Sequence, residues 1–226
     1  MKRKGAALAS NHRVAAFFDV DRTLVGPRSM ERVFISHLIR EGFLTPGDLA
    51  RYLGFLALNL DAVGAGLTKN NKYHLRHKDP RDLARLARRC FQSDIAPLIS
   101  PAGREKVAQH QGQGHLVVLL TGTLQPLAEL LAGELRADLA LAARLGEEDG
   151  RLSGTLSNRR PYGPEKARLV RELAGSRGLD LQACFAYGDH HSDRHILSIV
   201  GNPCAVNPDA LLRRQAQRRG WPILEF

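Results

Sequence analysis

Three short apolar runs, Val14 to Phe18, Leu116 to Leu120 and Ala183 to Tyr187, each stop abruptly at polar residues. Runs of this length suit buried strands, and the longer stretches between them carry apolar positions at three- and four-residue steps, the spacing of a helix face. Strands alternating with helices predict an α/β fold with a Rossmann-like parallel sheet. In such a sheet the ligand crevice lies beyond the carboxyl ends of the strands. The polar residues that follow each run are therefore the first place to look for chemistry.

Between residues 29 and 99 the alternation lapses. Met30 to Arg40, Asp48 to Leu60 and Pro80 to Phe91 have helical spacing, and no strand signal separates them. Asp79 before Pro80 suits an N-cap followed by proline at the first helical position. This stretch reads as a helical bundle inserted after the first strand, with 1–28 and 100–226 forming the α/β core and 29–99 a cap. Further on, Asp149-Gly150 between apolar positions in 144–158 signals a β-hairpin.

The first run leads into Asp19-Val20-Asp21-Arg22-Thr23, two carboxylates one residue apart. A carboxylate can act as nucleophile or metal ligand, and a second one nearby as acid or base. Thr121-Gly122-Thr123 follows the second run. Lys166 opens a helical segment after Pro164-Glu165, and Gly188-Asp189-His190-His191-Ser192-Asp193 follows the third run. In this order the four stations resemble the haloacid dehalogenase (HAD) superfamily of phosphohydrolases over nearly the whole chain. Gly201-Asn202-Pro203, Ala205-Val206-Asn207-Pro208-Asp209 and Gly220-Trp221-Pro222 resemble the branch related to phosphoserine phosphatases, subfamily IB.

The resemblance implies a phosphatase in which Asp19 attacks phosphorus to form an aspartyl phosphate, and Asp21 serves as acid and then as base. It implies a Mg²⁺ site from Asp19, Asp189 and the backbone carbonyl of Asp21, a phosphate clamp from Thr121, Gly122 and Lys166, and a supporting role for Asp193, which would hold a metal water or orient Lys166. In the resembled branch the cap selects the substrate. The plainer structural reading makes Thr121 an N-cap for a helix beginning near Leu124, and Asp193 a helix N-cap as well.

Three positions depart from the resembled pattern. Arg22 stands where the superfamily often carries Gly. His190 and His191 replace a small residue and a variable one, and His191 with His195 has a spacing that can bind metal on a helix. Arg28 occupies the place where phosphoserine phosphatases carry an acid for the substrate ammonium. A cation there disfavours phosphoserine and suits a carboxylate or second phosphate, provided that Arg28 faces the leaving group rather than solvent.

Composition changes the picture little. The 226 residues are 43% hydrophobic and 25% charged, ordinary for a globular chain. No apolar run approaches the ~20 residues of a membrane span, and Ala6 to Ala9 is shorter than the ~7–15 residue apolar region of a signal peptide. Cys90, Cys184 and Cys204 are widely spaced and read as buried thiols of a reducing, cytoplasmic compartment. The net charge of +10 rests mainly on Arg, which supplies 26 of the 33 basic residues. It favours anionic substrates in general, a small phosphorylated metabolite first. A nucleic-acid end phosphatase, a surface that binds nucleic acid, a phosphotransferase or a regulatory protein with a vestigial site are the alternatives.

Overall fold

A computed structural model describes residues 13–59 and 71–226. Its centre is β1 (Ala15–Phe18), flanked by β2 (Leu116–Leu124) and β6 (Phe185–Gly188), both parallel to it. With β3 (Leu139–Ala143), β7 (Asn202–Val206) and β8 (Ile223–Leu224) they form a six-stranded parallel sheet in the order β3-β2-β1-β6-β7-β8. The order reverses direction at β1, so a crevice opens at its carboxyl end.

Every residue of β1 and β2 is buried because both faces of the sheet are covered. Ala15 and Phe17 face one cluster with Val118 and Leu120, while Ala16 and Phe18 face the other with Val117 and Leu119. Onto the first face pack α6 (Pro164–Arg177), α7 (Arg194–Leu197) and α8 (Ala210–Arg219), through Val170, Ile196 and Leu212. Onto the second pack α1 (Met30–Arg40), α3 (Pro80–Cys90), α4 (Pro101–Gly112) and α5 (Gln125–Leu135). Phe34, Leu38, Leu83 and Leu86 of the helical insertion share one continuous buried cluster with Phe18, Leu119 and Leu127. At the neck of the insertion, Gly26 N–H donates to Leu98 O (3.2 Å) and Ser100 N–H to Leu24 O (2.9 Å).

The helix expected from Asp48 to Leu60 begins earlier, as α2 (Pro46–Leu58), because Thr45 and Asp48 form a reciprocal capping box at its start. Leu60 lies outside the described residues, as do Met1-Lys2-Arg3-Lys4 and Ala6 to Ala9. The Asp79 carboxylate accepts from Arg81 N–H (2.8 Å) and caps α3. Phe91 falls past the end of α3, in a wider π turn that runs to Ile95. The hairpin is β4 (Leu145–Glu148) and β5 (Arg151–Leu156), with Asp149 and Gly150 at φ 50° and 71°, the left-handed pair that a tight hairpin turn requires. It clasps the insertion through Lys72 N–H to Gly154 O (2.9 Å) and His77 N–H to Leu152 O (2.8 Å). The three cysteines are buried free thiols. No helix among the described residues is long and apolar enough to cross a membrane.

Two glycines separate close packing from helix propensity. A Cβ on Gly201 would sit 1.8 Å from the backbone oxygen of Gln182, whereas one on helical Gly175 meets nothing within 4 Å. Gly201→Ala should lose about 2–4 kcal/mol of unfolding free energy through overpacking against backbone. Gly175→Ala should gain up to about 1 kcal/mol. Urea unfolding of both variants checks this, and equal stabilities would contradict the packing at Gly201.

Candidate active site

The stations converge at the carboxyl ends of β1, β2 and β6. Asp19 is the first residue past β1, and its N–H donates to Tyr187 O on β6 (2.9 Å). Asp189 follows β6 directly, and Lys166 lies in the first turn of α6. Asp19, Asp21, Thr121, Gly122, Lys166, Asp189 and Asp193 all line one cavity of about 170 Å³. The cavity is smaller than the roughly 300–1,000 Å³ of drug-sized ligand pockets.

Lys166 organises its floor. The ammonium is buried and donates to Asp19 Oδ1 and, at 2.7 Å, to Asp193 Oδ1. Burial alone would pull its pKa down, but attraction to Asp19 and then Asp193 outweighs burial and pushes it up. The Thr23 hydroxyl donates to the other Asp19 oxygen (3.3 Å). Burial drives the Asp19 carboxyl well above the usual range; Lys166 opposes this, and repulsion from Asp193 and Asp189 adds to it. Asp189 is pushed up to about 6 by burial and by Asp193, against the pull of Arg22. The pocket therefore holds more negative charge than its own cations relieve.

Asp19, Asp189 and Asp193 each offer one oxygen within 4.8 Å of the other two. Three hard oxygen donors in an under-neutralised pocket fit a divalent cation such as Mg²⁺ better than a soft metal. The Asp21 carboxylate is not one of the three. It accepts from Met30 N–H (2.8 Å) and the Thr123 hydroxyl (3.2 Å), tied to the start of α1 and the end of β2. A metal role for Asp21 is thereby left to its backbone carbonyl. Burial raises the Asp21 pKa despite those two donors, which suits a group that must carry a proton.

Several expectations change. Thr121 does not cap a helix, because β2 continues to Leu124 and α5 starts at Gln125 with no side-chain cap. Its oxygen instead accepts from Thr123 N–H (3.1 Å), leaving the hydroxyl proton to donate elsewhere. Asp193 ends a short 3₁₀ turn and gives α7 no side-chain cap; its second oxygen accepts from His190 N–H (3.2 Å). Arg28 is exposed and does not line the cavity. The acid near Asp21 is Glu31, in the first turn of α1, which pairs with buried Lys72 and, at 3.9 Å, with Arg160.

His191 and His195 do not form the paired ligands their spacing suggested. The grouping is His190, His191 and Asp209. There, Ser192 N–H donates to His190 Nδ1 (3.2 Å), which leaves the neutral ring's hydrogen on Nε2, facing Asp209 Oδ2 at 3.5 Å. A protonated Nε2 has no lone pair for a metal.

Arg160 went unnoticed in the sequence, one arginine among many in Asn158-Arg159-Arg160-Pro161. Its Nε donates to Gly122 O (2.9 Å), and a Cβ on Gly122 would meet the guanidinium at 2.7 Å. Glycine at 122 admits the arginine, a reason legible only once the two loops are seen together.

Residues 16–198 match the family model of haloacid dehalogenase-like hydrolases. The chain belongs to that family. Across 94% of this HAD chain and 70% of the relative, it is 36% identical to a phosphoserine phosphatase of Mycobacterium tuberculosis. It is 33% identical to an inhibition of morphological differentiation protein of Streptomyces azureus, over 99% of this chain and 82% of that one. A crystal structure of a Bordetella pertussis protein of unknown function shares the fold with a TM-score of 0.79 and 25% identity, covering 94% and 98% of the two chains. Family and relatives identify a phosphoric monoester hydrolase.

Lys166 carries the electrostatics of this HAD site, so its loss is diagnostic. Lys166→Met leaves Asp19 and Asp193 buried without their cation and should cost about 3–5 kcal/mol at pH 7.5 in EDTA. The variant's deficit should shrink as pH falls. A carboxyl whose folded pKa lies above its unfolded value binds its proton more tightly when folded, and so favours the folded state as it protonates. Urea melts at pH 7.5 and 5.5 test this; a deficit independent of pH would mean that the loss is one of packing alone.

Proposed function

We propose that this chain is a Mg²⁺-dependent phosphatase acting on a small phosphate monoester through an aspartyl phosphate on Asp19. The reading rests above all on one observation, a buried Asp19 held between Lys166 and Thr23, with Asp21, whose pKa burial raises, two residues on. A phosphate monoester resists attack because it is anionic and its leaving alkoxide is poor, so charge cancellation and a proton source are both needed.

Asp19 attacks phosphorus as the bond to the leaving oxygen breaks, and the Asp21 proton passes to that oxygen. Asp21, now a carboxylate, takes a proton from water as the water attacks the same phosphorus. The Asp19–phosphorus bond breaks, and both carboxyls return to their starting states. Splitting one displacement into two lets one residue serve as acid and then as base. Lys166 and the Thr121 hydroxyl hold phosphoryl oxygens, and Asp193 orients Lys166. Asp19, Asp189 and the Asp21 carbonyl would hold Mg²⁺, which when bound supplies positive charge against the phosphoryl oxygens and the crowded carboxylates.

The helical insertion acts as the cap that selects the substrate. Glu31 supports a leaving group without an ammonium, because both of its oxygens already face internal cations, Lys72 and Arg160. Neutralised from within, Glu31 gives a substrate ammonium no unpaired partner, so phosphoserine is disfavoured for this reason and not through Arg28. The small cavity supports a compact phosphorylated metabolite over a nucleic-acid end.

Asp19→Asn keeps the shape of the side chain but removes a usable nucleophile. With p-nitrophenyl phosphate and Mg²⁺, the variant should lose about 10³-fold or more in kcat, and the wild type should fall to background in EDTA and recover on Mg²⁺ addition. Turnover near wild type in the variant would reject the nucleophile, and full activity in EDTA would reject the metal.

A further inference from the structure

Arg22 directly follows the second of the two catalytic carboxyls in sequence, yet its side chain turns to a third. Its Nε lies 2.7 Å and its Nη2 2.5 Å from Oδ2 of Asp189. The Nε–H thus donates to a carboxylate that is 4% exposed, with a second guanidinium nitrogen beside the same oxygen, while the arginine side chain itself is 49% exposed. A charge-assisted contact of this kind is strong for the buried partner, and the cation is free to leave into water.

The loop that carries Arg22 fixes this aim. Its backbone is left-handed, with φ 65°, a conformation that glycine adopts without penalty and arginine does not. Arg22 N–H donates to Val25 O (2.6 Å), and Asn207 Nδ2 donates to Arg22 O (3.1 Å), so the loop is tied on both sides. Asp189 is also one of the three carboxyls whose oxygens cluster within 4.8 Å. The arginine therefore neutralises a carboxylate that the proposed metal needs.

We propose that Arg22 is a tethered counter-cation, which occupies Asp189 in the metal-free protein and must yield it when Mg²⁺ loads. The inference rests on the Mg²⁺ reading above and adds a competitor built into the chain. Two positive charges on one carboxylate repel each other, so Arg22 lowers the affinity for the metal. It also stabilises the metal-free protein, because Asp189 is never left buried and unpaired. Loading is then an exchange of one cation for another, and the site tolerates the loss of its metal.

The test measures Mg²⁺ binding directly, by calorimetry on EDTA-stripped and dialysed protein without substrate. Arg22→Gln removes the charge, and Arg22→Gly removes it while suiting the left-handed backbone, so at least one variant should keep the fold. Each should bind Mg²⁺ about five- to tenfold more tightly than wild type, the size expected of one partly solvated charge pair. Arg22→Gln, which keeps the backbone strain, should also unfold at a lower temperature without metal, and both variants should gain more from saturating Mg²⁺. Unchanged or weaker affinity in a folded variant would overturn the inference and make Arg22 a solvated residue or a support for the ligand. If wild type and both variants alike show no Mg²⁺ binding, the metal reading itself fails, and the competitor with it.

Discussion

One buried ammonium holds the site together. Lys166 enters from the start of α6 and bridges Asp19, at the end of β1, to Asp193, beyond β6. Three segments distant in sequence meet at this charge, and none of the groups has access to water enough to stand alone. Burying a charge without a partner costs several kcal/mol, so the two strand ends and the helix start are constrained to one another. That constraint places a carboxylate nucleophile on a rigid strand end rather than a mobile loop, and leaves the remaining carboxyls short of positive charge. The proposed Mg²⁺ requirement and the contact between Arg22 and Asp189 both follow from that shortage.

The sheet explains why the site is where it is. β1 lies at the reversal of strand order, and both of its faces are covered by helices. Its alternate residues feed two different clusters, so Val14 to Phe18 reads as an unbroken apolar run instead of an alternating one. This is also why the fold was legible in the sequence: buried parallel strands leave short continuous runs, and polar chemistry can begin only where the run ends. The hairpin was legible for a local reason, since Asp149-Gly150 meets the backbone demand of the turn by itself.

What was not legible depends on contacts between loops. Arg160 is chemically indistinguishable from its neighbour Arg159 until its Nε meets the Gly122 carbonyl. Arg28 had the right sequence position to face a leaving group, but its side chain is in solvent, while Glu31 in the first turn of α1 is turned inward and answered by Lys72 and Arg160. Thr121 follows an apolar run as a cap would, yet the strand simply continues. In each case the residue type was informative and its direction was not, because direction is set by packing from elsewhere in the chain. Arg22 is the same lesson in reverse: its position marked only a departure from glycine, and its side chain is aimed at Asp189.

The account stands or falls on whether phosphorus becomes bonded to Asp19. Turnover stopped in acid during steady-state hydrolysis, followed by borohydride reduction and peptide mass spectrometry, reads this directly, because an acyl phosphate is reduced to the alcohol while a free carboxylate is not. The account predicts homoserine at position 19, dependent on substrate and Mg²⁺, with Asp21, Asp189 and Asp193 unmodified. Reduction at another carboxyl, or at none while hydrolysis proceeds at full rate, would contradict it.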